Sequence, residues 1–66
     1  MNKEEMESAA GIICSLLKGL LEQYGLYIAV DAKTKEFVFI ERESWDKGNG
    51  KGRTARVSME QINVKE

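Results

Sequence analysis

The chain has 66 residues, with 42% aliphatic and aromatic content, 32% charged residues and a formal net charge of −1. That length holds one domain, and a domain so short buries only about 60% of the surface its unfolded chain exposes. With no histidine and only Cys14 as cysteine, an intrachain disulfide is excluded and a structural zinc site has too few ligands. No cofactor is expected. Burial of surplus apolar surface against a second copy is then the remaining route to stability, and a homodimer is expected.

The net charge points to no class of partner, but its distribution is bipolar. Residues 1–24 carry Lys3 and Lys18 against Glu4, Glu5, Glu7 and Glu22, whereas residues 42–56 carry Arg42, Lys47, Lys51, Arg53 and Arg56 against Glu43 and Asp46. The opening residues Met-Asn-Lys-Glu-Glu-Met-Glu are acidic where a secretory signal is basic. Ile13 is too bulky to precede a lipoprotein cysteine at Cys14. The apolar run of residues 9–21 contains Lys18 and is shorter than the roughly 20 residues a bilayer requires. A cytoplasmic protein with a reduced thiol and no membrane contact is expected.

In chain order, Met6, Ala9, Ala10, Ile13, Leu16, Leu17, Leu20, Leu21 and Tyr24 recur at three- and four-residue intervals. This predicts an amphipathic helix starting near residue 3, with Asn2 as N-cap, acidic residues in its first turn and Gly25 as left-handed C-cap. The apolar arc, from Ile12 round to Leu21 and Cys14, spans roughly 180°, wider than the roughly 100° that one sheet face needs. A stripe of small residues, Ser8, Gly11, Ser15 and Gly19, runs beside it. Such a stripe admits close approach of another backbone, or is simply a small exposed face.

Residues 26–30 and 37–40 are rich in β-branched and aromatic side chains and are separated by a polar turn, which predicts a hairpin. Both strands are apolar on both faces, although one helix covers only one face. The surplus reinforces the expected dimer, with Ile12, Cys14, Leu16, Leu21, Tyr27 and Val38 as its interface. Which sheet face meets the helix is left open, because register is weakly specified when both faces are apolar.

Residues 43–52 hold Gly48, Gly50 and Gly52 and predict a mobile hairpin loop. It is not a phosphate loop, since Lys51 is followed by Gly52 and a strand rather than by Ser or Thr opening a helix. Residues 53–57 alternate as a third strand. Ser58 with Gln61 fits a capping box for one helical turn, with a continued strand through Met59 as the alternative. Residues 64–66 are expected to fray.

The expected fold is α+β: an N-terminal helix packed on a three-stranded antiparallel meander in a single domain, residues 1–66. No enzyme is expected, because no histidine can act as a base and Cys14 lies in the apolar stripe with no base to activate it. Glu41, Glu43 and Asp46 match no calcium loop. Trp45, flanked by Lys47, Lys51, Arg53 and Arg56, is the candidate partner-binding residue set. The leading expectation is a small non-enzymatic protein-binding module, a modulator or inhibitor such as a bacterium or its phage uses. The alternative is a nucleic-acid-binding dimer using the same loop.

Overall fold

The computed structural model describes residues 1–49 and 51–65. The expectations for Gly50 in the loop and Glu66 in the frayed end lie outside the described residues.

The elements follow the order α1 (Lys3–Tyr24), β1 (Leu26–Asp31), β2 (Glu36–Glu41), α2 (Arg42–Lys47), β3 (Thr54–Ser58) and a 3-10 turn (Met59–Ile62). At the start of α1, the Asn2 side-chain oxygen accepts from the Glu5 backbone N–H at 2.8 Å, filling one of the orphan donors of the first turn. The helix ends at Gly25, whose φ of 65° and ψ of 45° lie in the left-handed region and turn its N–H back onto the Glu22 and Leu21 carbonyls. In the β1–β2 turn, the Asp31 carboxylate accepts from the backbone N–H groups of Lys33 and Thr34. The C-terminal segment is a turn rather than a continued strand, with the Ser58 hydroxyl accepting from Glu60 N–H at 3.3 Å.

The three strands form one antiparallel meander, β1-β2-β3. Register separates its faces, because directly opposed residues project to the same side. Pairing of Ile28 with Phe39 and Val30 with Phe37, and of those with Ala55 and Val57, makes one face apolar, with Leu26 at its end. Pairing of Ala29 with Val38 and Arg56, and of Asp31 with Glu36 and Ser58, makes the other face mixed.

The helix packs on the sheet through its C-terminal half. Cys14, Leu17 and Leu21 share one flank and border, with Leu26, Tyr27 and Ile28 of β1, a wedge-shaped groove of about 360 Å³. A single residue, Gly25, joins α1 to β1. Helix-to-strand connections are usually 2–6 residues, and stacked layers stand about 10 Å apart. So short a joint keeps α1 beside β1, the one strand it packs against closely.

The other side of α1 is therefore open: Ile12, Ile13, Leu16 and Leu20 are each at least half exposed, and α1 has no buried residue. Met59, 8% exposed, is the one buried hydrophobic side chain among the described residues. The chain measures 45 × 26 × 16 Å with a radius of gyration of 14.2 Å, against about 10.8 Å for a compact domain of this length. Its accessible surface is 5633 Å², where a compact monomer of its 7.5 kDa mass would expose about 4,200 Å².

No helix among the described residues is long and apolar enough to cross a membrane.

Candidate partner-binding surface

The stretch expected to be a mobile loop begins as a helix, α2. Its residues Arg42–Lys47 contain no glycine, and the salt bridge from Lys47 Nζ to Glu43 Oε1 at 2.8 Å spans one turn in the favourable i,i+4 order. Both side chains are about three-quarters exposed, so the pair adds little to stability.

Backbone and hydroxyl contacts hold α2 more firmly. Arg42 N–H donates to the Gly25 carbonyl at 2.9 Å, tying α2 to the joint below α1. The Ser44 hydroxyl donates to the Glu41 carbonyl at 3.2 Å and accepts from Arg53 N–H at 2.9 Å, which clips the approach to β3 onto α2. Glu41 N–H donates to the Arg53 carbonyl at 2.9 Å, extending the β2–β3 pairing.

Trp45 projects from this clamped helix and is 37% exposed. Gly52 passes close beneath it: a Cβ there would stand 3.0–3.1 Å from the Trp45 N, Cα and Cβ atoms. Beside it, the Tyr27 hydroxyl donates to both Asp46 carboxylate oxygens, at 3.0 and 3.2 Å. The Arg42 guanidinium lies 5.0 Å from the Tyr27 ring centroid. The bond to Asp46 is the main cause that raises the Tyr27 pKa, helped by lost solvent and by the Asp46 charge, while Arg42 opposes it.

The basic residues do not form one patch. Lys51 and Arg53 flank the Gly52 crossing, and Arg53 and Glu41 together border an apolar groove of about 200 Å³ with Leu26, Phe39 and Ala55. Lys47 faces Glu43. Arg56 stands on the mixed sheet face and pairs with Asp31 at 2.8 Å and Glu36 at 3.3 Å. Its hydrogen bond, followed by the Thr34 backbone N–H, holds the Asp31 carboxyl below the usual carboxylate range.

The residues expected at a dimer interface also fall in three places. Ile12 and Leu16 are exposed on α1 and do not line the groove beside β1. Cys14 and Leu21 lie on the flank turned to β1. Tyr27 and Val38 share the mixed face, Tyr27 tied to Asp46 and Val38 between Ala29 and Arg56. The open stripe of α1 instead continues from Ile12 and Leu16 to Ile13 and Leu20, and the apolar sheet face is the one carrying Phe37, Phe39 and Val57. The one-residue joint and the strand register separate these groups. Comparison with known protein families, with characterised proteins and with solved structures finds no match.

Proposed function

We propose that the chain is a small non-enzymatic protein-binding module, working as a homodimer, that modulates or inhibits a partner by occluding part of its surface. The observation that carries this reading is Trp45, over a third exposed on a helix fixed by Ser44 and the Gly25 carbonyl. Large aromatic side chains dominate binding energy when they enter a pocket, and a pre-fixed platform loses little entropy on docking. Lys51 and Arg53 beside it supply charge that steers an acidic surface.

Nucleic acid is the weaker reading. Lys47 and Arg56 are engaged with Glu43, Asp31 and Glu36, which reduces the cations available to neutralise successive phosphates.

The test compares immobilised wild-type and Trp45→Ala chains for proteins retained from a cell lysate, alongside anisotropy of a mixed-sequence single-stranded oligonucleotide at low and moderate salt. Proteins retained by the wild type and lost with Trp45→Ala are the expected result. Oligonucleotide binding that falls steeply with salt would favour the nucleic-acid reading, and equal retention by both chains would remove Trp45 as the anchor.

A further inference from the structure

We infer that a second copy of this chain covers both the open stripe of α1 and the apolar face of the sheet, in one reciprocal arrangement. The two α1 helices run antiparallel, and the N-terminal half of each lies on the apolar sheet face of the other. This deepens the proposed homodimer and rests on it.

Three observations point to that occupant. The chain exposes 5633 Å², about 1,400 Å² more than a compact monomer of its mass. Two such excesses make about 2,800 Å², within the range of obligate homodimers and well above the minimum for a stable interface. Second, α1 packs closely only against β1 of its own sheet, and its 22 residues extend about 33 Å against about 20 Å for the strands. The N-terminal half therefore overhangs its own sheet and is free to reach another.

Third, the two apolar surfaces are complementary in kind. The stripe of Ile12, Ile13, Leu16 and Leu20 is an exposed apolar ridge, and the half-buried sheet face of Phe37, Phe39 and Val57 is an apolar floor with Val30 62% exposed at its edge. Each chain carries one of each, so a twofold axis satisfies both at once and leaves no sticky surface over.

The test uses mixed dimers. One copy carries Lys3→Cys in a Cys14→Ser background and a nitroxide label; the other is unlabelled with nitroxide but enriched in nitrogen-15. Both substitutions lie at exposed positions, so folding is preserved. Line broadening of the Phe37, Phe39 and Val57 amides of the second copy is the expected result. Broadening confined to α1 amides would overturn the helix-on-sheet arrangement while leaving the homodimer standing. No intermolecular broadening, with a protomer mass by light scattering at high concentration, would overturn both. Leu16→Lys gives an independent reading: it is expected to weaken dimerisation at least about 30-fold while the dispersion of the sheet amides is retained.

Discussion

Three glycines associated with α1 should respond to the same substitution with opposite signs. At Gly11 and Gly19 an added Cβ meets nothing within 4 Å in the protomer, and both lie within the helix, so alanine gains its full helix propensity, about 0.8–1 kcal/mol at each position. The double variant Gly11→Ala with Gly19→Ala is then about 2 kcal/mol more stable, equivalent to a rise in Tm of about 8–16 °C for a chain of this size. At Gly25 the surroundings are equally open, but φ is +65°, and Gly25→Ala costs about 1–2 kcal/mol because a Cβ opposes the left-handed conformation. Thermal unfolding followed by far-ultraviolet circular dichroism, at one chain concentration and with the mass in solution measured for each variant, reads both effects. Loss of stability together with dissociation of the double variant would refute this, since the Gly11, Ser15 and Gly19 flank would then be the line along which two helix backbones approach.

Other expectations concern the sheet and α2. Asp31 has a depressed pKa in the folded chain, so its contribution is complete above the unfolded carboxyl pKa and is lost as pH falls through the folded value. Arg56→Gln should flatten the acid limb of a stability-against-pH curve from urea melts. Tyr27 has a raised pKa, so its contribution is present below the unfolded phenol pKa and lost as pH rises through the folded one; Tyr27→Phe should flatten the alkaline limb of the same curve. A Cβ at Gly48 collides with the backbone carbonyl oxygens of Lys51 and Ser44, and Gly48→Ala should cost about 1–3 kcal/mol by urea denaturation. Gly52→Ala meets Trp45 first, at a less severe 3.0–3.1 Å, and should shift the Trp45 fluorescence maximum with a smaller loss of stability.

The parts of the fold that were legible in the sequence are those decided by neighbours along the chain. Asn2 and Gly25 bound α1 through their own side-chain and backbone chemistry, and the Asp31 turn and Ser58 cap do the same for the strands. The helix α2 was hidden because the glycines of residues 48–52 dominated a window whose first half, Arg42 to Lys47, holds good helix formers and an i,i+4 pair. The splitting of the basic residues was hidden for another reason. Arg56 meets Asp31 and Glu36 only once β1, β2 and β3 are in register, and a strand apolar on both sides does not announce its register. The surplus of apolar surface could be read from the width of the α1 arc. Its location could not, since it depends on the angle at which one residue, Gly25, delivers the helix.

The meander has a kinetic consequence. Each strand pairs with its neighbour in sequence, across connections of a few residues and one short helix, so the native contacts of the sheet are local and loop closure costs little. The sheet is therefore expected to form fast and within one chain. The open stripe of α1 finds no cover in that step, so any association that buries it must follow as a slower, second-order phase. Refolding should then split into one rate that ignores chain concentration, reported by the strands, and another that rises in proportion to it, reported by the helix.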